Sequence, residues 1–474
     1  MRMTLKTMTI INYDNDTLTK LLLRSWSLKE SASSNLSEHL DWIKTLNQET
    51  KVSLARTSFK NCGDWFYEQR LGEIKNNKGS FFKIVGIRET LDKKIIAEQP
   101  IILQEEIGYL GFLCKVINGE LYFLVQAKIE PGNINKVQLS PTIQATKSNF
   151  QQKHGGRQPL YLEYFSHVTD EDIIYDQIQS EQSSRFYGKR NRNIIVITSE
   201  DIEVNDNFRF MTLGQIKELM AVDNLVSMDT RTVISCVPYQ GHLVQNSELA
   251  HLFSDKYLYK SVCNNNDDEV KSVLRRLNDI KMYSESKKEL VPLTDLNSWT
   301  IEESEVIGFD QPFKVSLFEI EIEGREVTRW HQPLFEAIGS AILGLFTTVM
   351  NHERKFLIKL TQEIGCFDFV ELGPTIQKEA NQCGDSANAI ERLFWKLLDE
   401  KTNVQHDVLL SEEGGRFYHE QNRNIIIDVN AKELEVIEVP KEYVWVSFNT
   451  LNRLLQFNNI LNLQLRNLIS LLRI

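Results

Sequence analysis

Apolar and polar residues alternate along much of the chain with the short period of β-strands. Two such runs flank Asn118-Gly119 in LGFLCKVINGELYFLVQAKIE, and two more flank Asn351-His352 in LGLFTTVMNHERKFLIKLTQE. Asn-Gly between alternating runs is a strong hairpin signal. FFKIVGIRETLDKKII, FKVSLFEIEIEGREVTRW, RNIIVIT and RNIIIDV are also typical of strands. The pattern predicts sheets built largely from hairpins.

Helical spacing of apolar residues occurs in three other parts of the chain. Within residues 14–50 it involves Leu18, Leu21, Leu22, Leu40 and Ile43. MTLGQIKELMAV and VSFNTLNRLLQFNNILNLQLRNLISLL follow strand-rich regions, and a hydroxyl residue stands near the start of each, where it could cap a helix. Together these patterns predict an α+β fold with mainly antiparallel or mixed sheets and flanking helices.

Long phrases occur twice in the chain, in the same order and about 233 positions apart. The three pairs begin at Glu98 and His331, at Val137 and Val370, and at Ser180 and Ser411. The most similar pair is SEQSSRFYGKRNRNII and SEEGGRFYHEQNRNII. Constant order and spacing indicate two homologous units. The predicted division is a helical segment at 1–50, a first repeat at 51–255, a linker at 256–284 and a second repeat at 285–474.

Composition narrows the class of protein. A chain of 474 residues, 42% hydrophobic and 25% charged, is typical of a globular protein with more than one domain. It has no apolar run of about 18 residues and no signal-peptide pattern near its start, so a cytoplasmic protein without membrane association is predicted. The six cysteines are scattered, as expected of reduced thiols. A net charge of −11 argues against a nucleic-acid partner.

Several catalytic motifs are absent from the sequence. It contains no GxGxxG fingerprint, no GxxxxGK[ST] loop and no GxSxG elbow. The histidines are dispersed, and the clustered glutamates of a Nudix metal box are missing. The sequence therefore predicts neither a metal site nor a metal-dependent hydrolase.

Polar residues in strand phase are the first candidates for chemistry. Gln126, Lys128 and Glu130 would share one face of a strand, and the second copy reads Lys359, Thr361 and Glu363 at the same places. VQLSPTIQATKSNF adds Gln138, Ser140 and Gln144, followed by Thr146, Lys147, Ser148 and Asn149. Amides, hydroxyls and a lysine in one place favour a sugar- or phosphate-binding surface. The alternatives are a solvated sheet edge and a serine- and threonine-rich turn.

Arginines and tryptophans supply further candidates. Arg185, Arg190 and Arg192 form the most basic cluster of the chain and could bind a diphosphate, or could lie in a solvated loop. Trp65 and Trp299 occupy corresponding positions in the two copies. They could stack on a nucleotide base, or could belong to the core.

The longest phrases closely resemble one enzyme family. VQAKIEPGNINKVQLSPTIQATKSNF, HGGRQPLYLEYF, ELGPTIQ and SEEGGRFYHEQNRN are similar to the NDP-hexose 2,3-dehydratases, and the resemblance extends from about Thr57 to the C-terminus. It implies a tandem duplication of a Nudix-like unit, a homodimer and a nucleotide-sugar substrate. The usual substrate would be dTDP-4-keto-6-deoxyglucose, with no metal or redox cofactor and with a 3-ketoreductase acting downstream.

The resemblance also implies positions for ligand contacts. In the first copy they are Trp65, Lys147, Ser148, Asn149, Phe150, Gln151, Ser184 and Arg185. In the second copy they are Trp299, Gln377, Lys378, Glu379, Ala380, Glu412, Glu413, Gly414, Gly415 and Arg416. The second copy departs from the family text after GPTIQ, which favours catalysis in the first repeat.

The family reaction removes the C3 proton beside a C4 ketone and expels the C2 hydroxyl as water. It needs a base, an acid and donors to the enolate oxygen. Lys128, Glu130 and His154 are candidates for the base, and Tyr187 for the acid or enolate donor. A nucleotide-sugar-binding module without catalysis, and an epimerase or isomerase of 4-keto sugars, remain alternative functions.

Overall fold

The computed structural model describes residues 13–31, 33–79, 81–150, 158–245, 248–323, 327–382, 388–435 and 437–474. Within these ranges the α-helices are α1 Asn15–Ser27, α2 Leu36–Glu49, α3 Lys147–Phe150, α4 Glu163–Ser166, α5 Leu213–Leu219, α6 Met228–Ser235, α7 Gly241–Val244, α8 Lys256–Cys263, α9 Asp267–Tyr283, α10 Ala389–Asp399, α11 Ala431–Glu435, α12 Phe448–Leu454 and α13 Leu463–Ser470.

The strands belong to four sheets. In chain order they are β1 Val52–Arg56, β2 Trp65–Glu68, β3 Glu73–Asn76, β4 Lys83–Leu91, β5 Lys94–Leu103, β6 Gly108–Ile117, β7 Glu120–Ile129, β8 Val137–Ser140, β9 Ile143–Ala145, β10 Ile173–Ser180, β11 Arg190–Ile197, β12 Phe208–Met211, β13 Lys287–Val291, β14 Thr300–Ile301, β15 Glu305–Ile307, β16 Phe313–Ile322, β17 Arg329–Ala337, β18 Ile342–Met350, β19 Glu353–Thr361, β20 Glu371–Gly373, β21 Ile376–Lys378, β22 Val404–Ser411, β23 Gln421–Asp428 and β24 Tyr443–Ser447. The predicted α+β class with mixed sheets is confirmed.

Two seven-stranded sheets have the same topology. One has the order β10-β11-β6-β7-β12, with β8 on β7 and β9 on β6. The other has the order β22-β23-β18-β19-β24, with β20 on β19 and β21 on β18. In each sheet one pair is parallel, β11 with β6 and β23 with β18, and the remaining pairs are antiparallel. Equivalent positions in the two halves can therefore be assigned from the strand ladders.

The two predicted hairpins form these central strand pairs. Asn118 and Gly119 both have positive φ, of 53° and 84°, as a tight turn between right-twisted strands requires. Asn351 and His352 also have positive φ, of 52° and 61°, a conformation that asparagine and histidine adopt more readily than most residues with a side chain. Both hairpin predictions are confirmed.

Two five-stranded sheets exchange one strand each. β13, from the second half of the chain, pairs with β4 in the sheet that contains β2, β3 and β5. β1, from the first half, pairs with β16 in the sheet that contains β14, β15 and β17. Because each strand completes the sheet of the other half, the two halves cannot separate without breaking both sheets.

The cores also join the two halves. A cluster between the five-stranded sheets contains Trp65, Ile84 and Phe186 together with Trp299 and Phe335. The largest cluster joins apolar residues of both seven-stranded sheets with the helices around them. Within the described part of the chain, no helix is both long and apolar enough to cross a membrane.

The predicted helices form, with differences in detail. α1 and α2 occupy the N-terminal region and bury Leu21, Leu22 and Ile43, but Leu40 is exposed. Thr212 caps α5 with Gln215 in a capping box. Ser447 caps α12, but the long C-terminal helical pattern is divided into α12 and α13. The connection between them contains Asn459, whose φ of 54° is a left-handed conformation that asparagine tolerates.

Candidate active site

Lys128 and Glu130 lie together at the end of β7. Lys128 Nζ is 3.1 Å from Glu130 Oε1, and both residues are largely buried. Gln144 on β9 donates from Nε2 to the same oxygen over 2.9 Å. The alternation of the strand therefore places the Lys128 ammonium beside the Glu130 carboxylate, and the neighbouring strand β9 adds the amide of Gln144.

The loop after Glu130 is held against the second repeat. The Gly132 N–H donates to the Gly414 carbonyl over 2.7 Å, and the His419 N–H donates to the Gly132 carbonyl over 2.9 Å. A β-carbon on Gly132 would lie 1.6 Å from the Phe417 carbonyl oxygen, so only glycine fits there. The two hydrogen bonds bring Glu413, next to Gly414, to the Lys128–Glu130 pair.

Charges of one sign are crowded at this contact. Burial, followed by the charge of Glu130, raises the pKa of Glu413 to about 7, and the charge of Arg416 opposes the shift. Burial likewise raises the pKa of Asp229, on α6, well above its usual range, with Glu130 the next largest cause. Carboxyl groups that bind protons near neutral pH are suited to acid–base catalysis.

Two cations, Lys189 and Arg416, interact electrostatically with Glu413. Lys189 is 7% exposed and donates to the Glu106 carbonyl. Burial lowers the pKa of Lys189, and Glu181 opposes this shift. Arg416 donates to Gln104 Oε1 over 3.2 Å, and its guanidinium lies 4.4 Å from the centre of the Phe82 ring. These groups can meet the negative charge of a phosphorylated ligand.

The turn that follows β9 borders the same region. The Ser148 N–H donates to Glu106 Oε2 over 3.0 Å, and its hydroxyl donates to Oε1 over 3.2 Å. Thr146 and Ser148 are joined by a hydroxyl–hydroxyl contact of 3.0 Å. Lys147 and Asn149 are exposed, and Lys147 is therefore free to reach an external ligand.

A surface pocket of about 400 Å³ opens beside this turn. Phe150 and Tyr109 form an aromatic pair on its wall, with ring centres 5.4 Å apart. The pocket is lined by Glu105, Glu106, Ile107, Gly108, Tyr109, Lys147, Phe150 and Arg192. An aromatic wall with a lysine at the rim suits a ligand that has both a flat ring and an anionic group. Gln151 and His154, which were also predicted here, lie outside the described residues.

The second repeat forms an equivalent contact in the opposite direction. The Gly365 N–H donates to the Ser183 carbonyl over 2.9 Å, and the Gly188 N–H donates to the Gly365 carbonyl over 2.8 Å. Gln377 donates to Glu363 Oε1 over 2.8 Å, just as Gln144 does to Glu130. Burial raises the pKa of Glu363 to about 7.

We call the region around the Lys128–Glu130 pair the first-repeat pocket and the equivalent region around Glu363 the second pocket; their charged residues differ. By the strand ladders, Thr361 stands in the place of Lys128. Glu420 stands in the place of Lys189. The Lys189 carbonyl accepts from the Glu181 N–H over 2.9 Å, and the Glu420 carbonyl accepts from the Glu412 N–H over 3.0 Å. Burial raises the pKa of Glu420 to about 8. The second pocket has therefore lost two of the lysines that would attract an anion.

The arginines predicted as a diphosphate cluster are not brought to one point. Arg185 is buried and donates to Glu379 Oε1 over 2.9 Å. Arg190 lies 3.6 Å from the centre of the Phe367 ring, and Arg192 forms a two-armed ion pair with Asp176. Each guanidinium has its own protein partner, so the three do not form one anion site.

The tryptophans and Tyr187 lie away from the Lys128–Glu130 pair. Trp65 and Trp299 are in the core cluster between the five-stranded sheets, with 4% and 6% exposure. Tyr187 packs against the aliphatic cluster that contains Ile101 and Ile364.

Other predicted contact residues have structural partners. Gln138 is buried and donates to the Asn224 carbonyl over 2.9 Å and to Ser411 Oγ over 2.6 Å. Two of the remaining positions lie on strands: Gln126 is half-buried on β7, and Ser140 is buried at the end of β8. Three accept hydrogen bonds: the Ser184 carbonyl from Gln99, Glu412 from Asn422, and the Gly415 carbonyl from Gln332. Lys378 pairs with Glu391, and Ala380 begins a 3₁₀ turn.

Sequence reasoning missed Asp229 and Lys189, and it named Glu413 only as a ligand contact of the second copy. A comparison of the copies contains a signal for all three: Gln464 replaces Asp229, Glu420 replaces Lys189 and Gln182 replaces Glu413 in the equivalent positions. Differences in charge between aligned copies mark the positions where the two pockets diverge.

Comparison with known proteins defines the class. The family model for NDP-hexose 2,3-dehydratase matches the chain twice, over residues 36–237 and 270–472. These are lyases that remove water from a hexose linked to a nucleoside diphosphate. The chain belongs to the NDP-hexose 2,3-dehydratase family, as its sequence resemblance predicted.

Characterised relatives cover nearly the whole chain. A dTDP-4-dehydro-6-deoxy-α-D-glucopyranose 2,3-dehydratase of Streptomyces violaceoruber is 32% identical over 91% of this chain and 96% of its own length. Enzymes with the same name from Amycolatopsis orientalis and Saccharopolyspora spinosa are each 32% identical over 90% of this chain, covering 88% and 89% of their own lengths.

Proposed function

We propose that this enzyme dehydrates dTDP-4-keto-6-deoxyglucose across C2 and C3, in the pocket that the first repeat forms with the 411–416 loop. The observation that carries this proposal is the Lys128–Glu130 ion pair, with its Nζ–Oε1 distance of 3.1 Å, which faces Glu413, a residue that also interacts electrostatically with Lys189 and Arg416. The equivalent pocket of the second repeat has Thr361 and Glu420 in place of the two lysines. This asymmetry favours catalysis in the first repeat.

The pair suits the first step of the reaction. The C4 ketone acidifies the C3 hydrogen, and the Glu130 carboxylate removes it as the general base. The Lys128 ammonium donates to O4, where the enolate charge develops. When the C4 carbonyl re-forms, a C2–C3 double bond forms and the C2–O bond breaks, so that water leaves. The resulting enol tautomerises to the 3,4-diketo-2,6-dideoxy sugar.

The nucleoside diphosphate would bind along the adjoining surface. Lys147 at the rim, with the Ser148 turn, would contact the phosphates, and the wall of Tyr109 and Phe150 would contact the base. The half-buried Gln126 and Gln144 would contact the sugar hydroxyls. The remaining predicted contacts, including Trp65 and Trp299, would act by supporting these surfaces from the core.

The wider assignment follows the family resemblance. We propose that the repeats are a tandem duplication of a Nudix-like unit, divided at about 51–255 and 285–474, and that the enzyme is a cytoplasmic homodimer. The identical strand order of the two seven-stranded sheets supports duplication. The five described cysteines, all buried and unpaired, agree with a reducing compartment. Because a 3,4-diketo sugar is reactive, a 3-ketoreductase would consume it.

The test uses purified enzyme, dTDP-4-keto-6-deoxyglucose, EDTA, a 3-ketoreductase and NADPH, with the products measured by mass spectrometry. A product that lacks the C2 oxygen is expected. Binding without a change in mass would instead identify a nucleotide-sugar-binding module. Incorporation of deuterium at C3 from D₂O without loss of water would identify an epimerase or isomerase.

A further inference from the structure

We propose that Glu413, which the second repeat contributes, is the general acid that protonates the departing C2 hydroxyl in the first-repeat pocket. This assignment rests on the proposed function, because it names the partner of the Lys128–Glu130 pair in the same elimination. With this assignment, both repeats contribute catalytic residues to one active site.

The position of Glu413 is fixed by the backbone. Gly132 and Gly414 are joined by the 2.7 Å hydrogen bond, and a β-carbon on Gly414 would lie 2.2 Å from Asn133 Oδ1. The two loops are therefore in close contact on both sides of the bond. Glu413 precedes Gly414 directly, and Glu130 precedes Gly132 by two positions, so the two carboxyl groups belong to facing loops.

The side chain of Glu413 is available to a ligand. Its neighbour Glu412 is 4% exposed and accepts from Asn422 over 2.7 Å, whereas Glu413 is only half-buried. Among the residues that the structure describes, no side chain donates a hydrogen bond to the Glu413 carboxyl group. A partly exposed carboxyl group without a protein donor can hydrogen-bond a substrate hydroxyl.

The reciprocal contact supplies an internal comparison. In the second pocket Gln182 occupies the position of Glu413, between the equivalents of Glu412 and Gly414. A glutamine cannot give up a proton to a leaving group. The Glu–Gln pair is present in both pockets, as Glu130 with Gln144 and Glu363 with Gln377. The acid is thus confined to the pocket that also contains Lys128.

The surroundings keep Glu413 in the protonated form that an acid needs. Burial and the charge of Glu130 raise its pKa to about 7, so a substantial fraction is protonated at neutral pH. The charged and titratable groups that face it are Lys128, Glu130, Glu181, Lys189, Asp229 and Arg416. Because the acid is lost as pH rises through about 7, the rate of water loss should decline above that pH.

The proton balance of the step is complete. Glu130 gains the proton from C3, the electron pair of the C3–H bond passes through the enolate into the C2–C3 double bond, and the C2–O bond breaks. Glu413 gives its proton to the departing hydroxide, which leaves as water. Tautomerisation releases the O3 proton and adds one to C2. Transfer of the proton from Glu130 to Glu413 restores the starting state.

The experiment compares the wild-type enzyme with Glu413→Gln and with Glu363→Gln, which removes a carboxyl group from the second pocket. Dehydration is followed with the ketoreductase and NADPH, and exchange at C3 is followed in D₂O. In Glu413→Gln we expect water loss to fall at least about 100-fold, while deuterium still enters C3 of the unreacted substrate. Glu363→Gln should dehydrate at close to the wild-type rate.

A substrate analogue provides the second measurement. In the 2-chloro-2-deoxy analogue chloride leaves without a proton, so Glu413→Gln should eliminate it within a few-fold of the wild-type rate. The assignment would be overturned if Glu413→Gln dehydrated the natural substrate at the wild-type rate. It would also be overturned if the substitution slowed chloride elimination as much as it slowed dehydration. A wild-type enzyme that neither exchanges C3 nor loses water would instead remove the proposed function itself.

Discussion

The buried Arg231 of α6 donates a hydrogen bond of 2.6 Å to the Ser411 carbonyl, at the start of the second-repeat loop that contacts the Lys128–Glu130 region. Its other terminal nitrogen donates to the Val226 carbonyl over 2.6 Å. Arg466 makes the reciprocal contact, to the Ser180 carbonyl. Each repeat thus holds a loop of the other repeat against its own sheet, so that residues of both repeats meet at each contact.

Arg231→Leu should destabilise the protein by about 3 kcal/mol, because it leaves two buried carbonyl groups without donors. Activity should fall with stability, since the 411–416 loop loses its anchor. Urea unfolding and the dehydration assay measure the two effects. Arg275→Leu, at an exposed site on α9, is the matched control and should change stability by less than about 0.5 kcal/mol. Equal effects of the two substitutions would show that the buried arginine is not an anchor.

The exchanged strands predict that neither half folds alone. Cleaving the gene between Asn264 and Asn265, in the exposed connection of α8 and α9, gives fragments 1–264 and 265–474. The first fragment lacks β13 and the second lacks β1, so each exposes a sheet edge and half of the shared core. We expect insoluble fragments when they are expressed separately and a soluble, active complex when they are expressed together. A monomeric, cooperatively unfolding fragment 1–264 would contradict this expectation.

The sequence predicts local elements and the repeat, because these depend on residues close together in the chain. The turn at Asn118-Gly119, the cap at Thr212 and the alternation that puts Lys128 beside Glu130 were all read from short stretches. The exchange of β1 and β13 could not be read in this way. A five-residue strand such as VSLAR contains no local information about which of two similar sheets it will join.

The same limit applies to the candidate site. The polar stripe was found because it lies on one strand, but the approach of Glu413 to Glu130 depends on a contact between loops nearly three hundred residues apart. A sequence duplication alone does not indicate which repeat each loop will contact. The structure pairs each loop with the other repeat, and the glycines at positions 132 and 365 are the sequence features that permit it.

Lys147 gives a direct test of the binding surface. Its ammonium is exposed at the rim of the pocket, and the second repeat has Ala380 at the equivalent position. Lys147→Ala should raise KM for the nucleotide sugar about 10-fold, the effect of losing one charge-assisted hydrogen bond, with little change in unfolding. Steady-state kinetics measure it. Lys256→Ala, an exposed lysine on α8, is the control, and an unchanged KM in Lys147→Ala would place the diphosphate elsewhere.

Glu371 makes the stability of the second repeat depend on pH. It is 1% exposed, and both of its carboxylate oxygens lack hydrogen-bond partners. Burial, followed by the charge of Glu363, raises its pKa to about 8. The folded protein therefore keeps a proton that the unfolded chain loses near its usual pKa. The resulting stability is complete below about pH 4.5 and is lost as pH rises towards 8.

Glu371→Gln should remove this dependence. The first repeat already has a glutamine there, since Gln138 pairs with Lys128 in the ladder as Glu371 does with Thr361. In urea unfolding, the stability advantage of the variant over the wild type should grow by about 3 kcal/mol between pH 6 and pH 9, because the wild type loses about 1.4 kcal/mol per pH unit until the pH reaches the folded pKa of about 8. The reverse change, Gln138→Glu, should add a new loss of stability at alkaline pH. Parallel stability–pH curves for all three proteins would mean that the carboxyl group ionises without cost, because water or a counter-charge reaches it in solution.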